Sequence, residues 1–294
     1  MAIEALIFDV DGTLADTEEA HRTAFNLAFE RHGLGWSWSR ADYRELLDVS
    51  GGKERIARYI AALPLAPAGR ARLRELVPVL HADKTRLYTG IVQDGGVPLR
   101  EGVARLLDEA VAAGCRLAIA STTTATNIHA LLSCTLGPRG IDLFSVIACG
   151  DQVRAKKPAP DIYRLALAAL GLAPDRALAL EDSVNGLRSA VAAGLWTLVT
   201  PTFWTADGDF SAAGLVLPRL GEPDAPLHGE PGGRLPGAGW LRFGELVELA
   251  SPALPLSPLF VPNLTRADGS AVFSGGDYRR SIAALRDEAA GARR

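Results

Sequence analysis

Residues 6–14, Leu6-Ile7-Phe8-Asp9-Val10-Asp11-Gly12-Thr13-Leu14, decide how the rest of the chain is read. An apolar run that stops at two carboxylates and a glycine has the form of a buried parallel strand. Open α/β sheets bind their ligands beyond the carboxyl ends of such strands. Alternate strand residues face one way, so Asp9 and Asp11 can address one small volume as the chain leaves the sheet. Gly12 lets the chain turn sharply there. Carboxylates this close repel unless a cation, a shared proton or hydrogen bonds compensate, and an oxygen-rich cluster suits Mg²⁺. An acidic turn after a strand is also common without any function, and what lifts this one is the sequence around it.

Downstream, residues 16–89 contain successive helical patterns and no strand-like runs. Ile56, Tyr59, Ile60 and Leu63 fall at the spacing of one helix face, and Leu73, Leu76, Val77 and Leu80 repeat it. This predicts an all-helical insertion. Within it, Ser50-Gly51-Gly52-Lys53-Glu54-Arg55 reads as a turn at a helix start, where free N–H groups and two basic side chains can hold an anion.

From about residue 98 the pattern alternates. Strands are expected at Arg116–Ala120, Phe144–Ala148, Ala177–Leu180, 195–200 and 214–217, with helices between them and another at 241–250. Such alternation predicts a Rossmann-like α/β fold, a parallel sheet with crossover helices on both faces. The first strand belongs to this sheet, and the helical insertion interrupts it. The expected organisation is therefore a core of residues 1–15 and 90–250, a helical cap of residues 16–89, and a C-terminal extension, 251–294. That extension opens with prolines, ends in a charged helical pattern over Tyr278–Arg294, and carries no recognisable chemistry.

The chain has 294 residues, is 48% hydrophobic and carries a formal charge of −3, which speaks against recruitment of nucleic acid or a membrane surface by bulk electrostatics. Neither a secretory signal nor a membrane-spanning run is visible, so a soluble, cytoplasmic protein is expected, and a monomer. Cys115, Cys134 and Cys149 lack metal-ligand spacing and read as small buried hydrophobes.

Four strand ends carry reactive groups: Asp9 with Asp11, Ser121 to Thr124, Lys156 with Lys157, and Glu181 with Asp182. Phosphoryl transfer needs a nucleophile, cations to neutralise the phosphoryl oxygens and donors to position them, and this set supplies all three. Asp-Val-Asp-Gly-Thr-Leu at 9–14, Ser121 after an apolar strand, Lys157 in Lys-Lys-Pro-Ala-Pro-Asp-Ile-Tyr, and Leu-Glu-Asp-Ser-Val-Asn-Gly at 180–186 resemble the four motifs of the haloacid dehalogenase superfamily of phosphatases and phosphomutases. The insertion after the first motif looks like that superfamily's first cap type. Asp16 to His21, Tyr43 to Leu47, Gly51 to Arg58 and Lys84-Thr85-Arg86 are similar to the CbbY group, sugar-bisphosphate phosphatases associated with Calvin-cycle carbon fixation.

The resemblance implies roles. Asp9 would attack phosphorus, and Asp11 would protonate the leaving oxygen and then activate water. Asp9, the main-chain carbonyl of Asp11 and Asp182 would hold Mg²⁺, with Glu181 shaping the surroundings. Ser121, Thr122, Thr123 and Lys157 would bind the transferring phosphoryl group. Glu18, Ser50, Gly51, Gly52, Lys53, Glu54, Arg55 and Lys84 would meet the sugar and its second phosphate. The implied substrate is xylulose 1,5-bisphosphate, a Rubisco-inhibiting misfire product, and the implied task metabolite repair. Alternatives are a phosphosugar mutase of the β-phosphoglucomutase kind and a broad-specificity sugar-phosphate phosphatase. A phosphoacceptor signalling domain uses similar strand-end groups, but the helical insertion and Gly-Thr-Leu speak against it. A non-catalytic binding protein would be expected to have lost one of the acids.

Overall fold

The computed structural model describes residues 3–228, 235 and 239–250; the C-terminal extension, with its expected helical pattern, lies outside them. Six parallel strands form one sheet: β1 (Ala5–Phe8), β2 (Arg116–Ala120), β3 (Phe144–Ala148), β4 (Ala177–Glu181), β5 (Trp196–Val199) and β6 (Leu215–Val216). Their order is β3-β2-β1-β4-β5-β6, with β1 central. The chain fills one side of β1 and then crosses to the other, so the switch point where such sheets open a crevice lies at β1 and β4. Register places Phe8 beside Ile119 and Leu180, which brings the ends of β1, β2 and β4 level.

Strand alternation sets the two faces apart. Leu6, Phe8, Leu117, Ile119, Leu178 and Leu180 point to one core. Ala5, Ile7, Ala118, Ala120, Ala177 and Ala179 point to the other, where small side chains admit Ile162, Tyr163 and Ala166 of the helix Asp161–Leu170 (α8). Helices α6 (Val103–Ala112), α7 (Ala125–Thr135), α9 (Val184–Ala192) and α10 (Phe243–Leu249) complete the core. This is the expected parallel sheet with crossover helices.

Between β1 and α6 lie α1 (Glu18–Arg31), α2 (Arg40–Leu46), α3 (Gly52–Ala62), α4 (Pro67–Glu75) and α5 (Val77–Gln93). This all-helical cap has its own aromatic cluster, in which Phe25 packs 4.8 Å from the Trp38 ring and Phe29 lies at the same distance. Each such ring pair contributes roughly 0.5–1.5 kcal/mol beyond area burial. One expectation is corrected here: Leu73, Leu76, Val77 and Leu80 do not share a helix. The chain breaks at Leu76, and Pro78 falls in the first turn of α5, where its missing N–H costs nothing. Helix α5 also continues past residue 89 to Gln93.

Two connections join cap to core, and they meet where Ala15 pairs with Leu99 in an antiparallel bridge. Cys115 and Cys149 are buried, but Cys134, expected to be buried, is exposed near the end of α7. Among the described residues no helix is long and apolar enough to cross a membrane.

Candidate active site

The switch point determines where the site forms. Asp9 leaves β1 with its N–H donating to the Leu180 carbonyl (2.9 Å), Ser121 leaves β2, and Asp182 leaves β4. Lys157 reaches the same point from the turn before α8. Its Nζ donates to Asp9 Oδ1 (2.5 Å) and Glu181 Oε1 (2.6 Å), and the Tyr163 hydroxyl donates to the same Glu181 oxygen (2.5 Å). Gly186 is required opposite Glu181, since a Cβ there would stand 1.8 Å from Oε2. Gly12 adopts φ +85°, and a Cβ on it would meet Asp182 Oδ2 at 2.3 Å, so a side chain would drive the acid from its place.

The carboxylates of Asp9, Glu181 and Asp182 are buried and can each bring an oxygen within 4.8 Å of the others. Burial, with the charges of Glu181 and Asp11, pushes Asp9 up to about 8 despite Lys157. Burial and the same crowd of acids push Asp182 well above the ordinary range. Although burial opposes its charge, Asp9 and Glu181 hold the Lys157 ammonium above its usual range. Ionised together, three acids against one ammonium would leave negative charge uncompensated, and an all-oxygen donor set fits Mg²⁺.

The Asp11 side chain turns away from this cluster. Its Oδ1 accepts from the Thr17 hydroxyl (2.6 Å) and lies 2.8 Å from His21 Nε2, while Lys84 Nζ lies 2.6 Å from His21 Nδ1. As an ammonium Lys84 can only donate, which assigns His21 as the Nε2–H tautomer donating to Asp11. Burial opposes ionisation of Asp11, but His21, Thr17 and Lys84 outweigh it and hold the carboxyl well below its usual range. Burial and Lys84 keep the imidazole neutral by lowering its pKa. Burial pulls Lys84 down to about 7, with Asp11 and Glu18 resisting and Arg55 assisting.

A cavity of about 160 Å³ lies between strand ends and cap. Its wall includes Asp9, Asp11, Glu18, Ser50 to Arg55, Lys84, Ser121 to Thr123, Lys157 and Asp182, so nearly every residue singled out from the sequence converges there. Glu181 does not reach the wall; it stands behind Lys157. The cap cations differ in their commitments. Arg55 is buried, donating to the Tyr43 hydroxyl (2.9 Å) and the Leu46 carbonyl (3.2 Å), and that Tyr43 hydroxyl donates to Glu18 (2.6 Å). Lys53 is half-exposed, 3.7 Å from Asp151 of the core.

His21, His81, Asn127, Asn185 and Thr205 also line the cavity; none was given a role from sequence, although His21 and Asn185 fall within the quoted stretches. Burial, with Lys84 and Lys53 nearby, lowers His81 to about 4, so it is a neutral imidazole at the cap wall. Asn127 donates to Thr123 Oγ1 (3.0 Å) and leaves its own Oδ1 buried and without a partner. Asn185 donates to the Asp48 carbonyl (2.9 Å), closing the cap against α9. For His21 a signal existed: Thr17 and His21 are four residues apart, on one face of the helix that follows the acids.

Known proteins resemble this chain in sequence and fold. Residues 3–194 match the haloacid dehalogenase-like hydrolases. The chain is 51% identical over 220 residues to protein CbbY of Rhodobacter capsulatus, covering 75% of this chain and 95% of that one. It is also similar to the crystal structure of CbbY from Rhodobacter sphaeroides in complex with phosphate, with a TM-score of 0.68 and 48% identity over 74% of this chain and 94% of that one. A mutant of the same protein in complex with xylulose-(1,5)bisphosphate matches with a TM-score of 0.68 and 47% identity, at the same coverage. With a parallel sheet, a cap after its first strand and acids gathered at the strand ends, the chain belongs to the haloacid dehalogenase-like hydrolases and is an enzyme of the phosphatase type.

Proposed function

We propose that this enzyme is an Mg²⁺-dependent phosphatase acting on a sugar bisphosphate, xylulose 1,5-bisphosphate foremost, through an aspartyl-phosphate on Asp9. The observation that carries this reading is the cavity with two ends: Asp9, Ser121 and Lys157 at the strand ends, and Lys53 and Lys84 on the cap wall. One end suits the phosphoryl group that reacts, the other a second anionic group on the same molecule. The complex of a CbbY relative with xylulose-(1,5)bisphosphate supports that sugar. Hydrolysis of such an inhibitor would be metabolite repair.

In the first step Asp9 forms a bond to phosphorus as the bond to the sugar oxygen breaks, and Asp11 gives that oxygen a proton. In the second, Asp11 takes a proton from the water that opens the aspartyl-phosphate. Asp11 thus recovers from water the proton it gave up, and His21, itself held by Lys84, would keep its carboxyl group aimed at the reacting oxygen through both steps. Ser121, Thr122 and Thr123 would donate to the phosphoryl oxygens, and Lys157 would hold Asp9 in line. Asp9, the Asp11 carbonyl and Asp182 would hold Mg²⁺, which when bound neutralises charge on the phosphoryl oxygens.

The test is phosphate release across a panel of sugar bisphosphates and monophosphates, with and without chelator. Xylulose 1,5-bisphosphate is expected to give the highest kcat/KM and the chelated enzyme none. Equal rates across the panel would indicate a broad-specificity phosphatase, and a sugar-phosphate isomer accumulating without free phosphate would indicate a mutase.

A further inference from the structure

The loop after β5 touches both halves of the molecule. At its root Arg100, a largely buried guanidinium, donates to the Thr200 carbonyl (2.5 Å), the Thr200 hydroxyl (2.9 Å) and the Pro201 carbonyl (3.1 Å), and also to the Gly12 carbonyl in the turn after Asp11. From this root the loop reaches two ways. The Trp204 side chain, 6% exposed, lies in the aromatic cluster of the cap, its ring 5.5 Å from that of Tyr43 at 85°. Thr205 points back to the core: its hydroxyl accepts from the Thr202 N–H (2.9 Å) and donates to Asp182 Oδ2 (3.3 Å). Arg44 of α2 grips the outside of the loop, donating to the Phe203 carbonyl (3.1 Å) and pairing with Asp207 (2.9 Å).

Adjacent residues of one anchored loop thus hold the cap and the Asp182 carboxylate. The cap residue in question, Tyr43, also bridges Glu18 and Arg55 in the cavity wall. We propose that the segment Thr200–Asp207 couples cap docking to the metal-binding geometry of Asp182, with Thr205 as a positioning residue and Trp204 as its anchor in the cap. This rests on reading Asp182 as a metal ligand. A carboxylate ligand is oriented by the groups that hydrogen-bond to it, and their loss weakens metal binding. When the cap leaves, Trp204 loses its seat and Thr205 its fixed position. By linkage, bound Mg²⁺ favours the docked cap to the same degree that docking tightens Mg²⁺.

The experiment is a calorimetric Mg²⁺ titration of the full chain without substrate, so the result does not depend on which sugar is correct. Thr205→Val keeps the side-chain shape and removes the donor, and should raise the Mg²⁺ Kd by about tenfold, with Thr205→Ser close to wild type. Trp204→Ala and Arg44→Ala touch no acid of the cluster, yet each should raise the same Kd severalfold, and Trp204→Phe should largely restore it. The Thr205→Val/Trp204→Ala double variant should bind Mg²⁺ no more weakly than Thr205→Val alone, because both changes remove one contact. Unchanged Mg²⁺ binding in Trp204→Ala and Arg44→Ala, or fully additive losses in the double variant, would overturn the proposal. Asp182→Ala serves as the control: if it too binds Mg²⁺ normally, the metal assignment has failed and the coupling falls with it.

Discussion

His21 Nε2 stands 2.8 Å from Asp11 Oδ1, so a cap helix holds a carboxylate of the core turn. On the proposed mechanism the contact gives the cap a part in the chemistry, because it orients the acid, with Lys84 in turn holding His21. Asp11→Asn should lower kcat by about 10²–10⁴, the usual worth of a general acid–base. His21→Ala should cost less, about tenfold or more, because Thr17 still holds the carboxylate. Steady-state phosphate release checks both. A His21→Ala enzyme with wild-type kcat would make the contact incidental.

Asp9→Asn should abolish turnover while leaving the melting temperature near wild type. The amide is nearly isosteric and its oxygen can still accept from Lys157, but it is too poor a nucleophile to displace the sugar oxygen. Phosphate release and thermal unfolding are measured on the same preparation. Appreciable turnover would place the nucleophile elsewhere.

Mg²⁺ binding should release protons near neutral pH. Without metal, Asp9 is pushed up to about 8 and Asp182 also well up, so the cluster holds at least one proton at pH 7. Ligation needs the ionised acids, so apparent Mg²⁺ affinity should rise as pH increases toward 8 and weaken as it falls. Titrations in buffers of different ionisation enthalpy measure the protons directly. Binding independent of both buffer and pH would contradict the origin assigned to these shifts.

Lys84 sets a second pH dependence. Burial lowers it to about 7 in the free enzyme, so it is cationic below that pH and neutral above. For an anionic substrate, kcat/KM should therefore decline on the alkaline side of 7, and this limb should vanish in Lys84→Met. The full profile of both enzymes over pH 5–9 tests this, and an unchanged limb in the variant would assign it to another group.

The strands and their reactive ends were legible because short buried parallel strands are almost wholly apolar, so the stop at Asp9, Ser121 or Asp182 is sharp. The break at Leu76 was not. Leu73, Leu76, Val77 and Leu80 bury toward the same cap whether the helix is straight or broken, and the periodicity is blind to the difference. The roles of His81 and Thr205 were hidden for another reason. Each is a single polar residue outside any motif, and its place at the cavity depends on elements brought together from distant parts of the chain. The pairing of His21 with Lys84 spans 63 residues in the same way.

The structure separates Lys53 from Arg55, which the sequence presents as equivalent candidates for the distal phosphate. Lys53 is half-exposed at the cavity mouth, and its partner Asp151 is 3.7 Å away, a loose pairing that a phosphate can displace. Arg55 is buried and already donates to Tyr43 and Leu46, so it supports the cap wall as well as facing the cavity. A charge-assisted contact with phosphate is worth about 1.5–3 kcal/mol, or roughly tenfold to a hundredfold in catalytic efficiency. Lys53→Ala should therefore reduce kcat/KM for xylulose 1,5-bisphosphate by at least about tenfold while sparing para-nitrophenyl phosphate, which has no second phosphate. Arg55→Ala should reduce both substrates and lower the melting temperature, since it leaves the buried Tyr43 hydroxyl and the Leu46 carbonyl without their donor. Equal losses on both substrates in Lys53→Ala would show that this lysine serves cap closure through Asp151 and that the distal phosphate is held elsewhere.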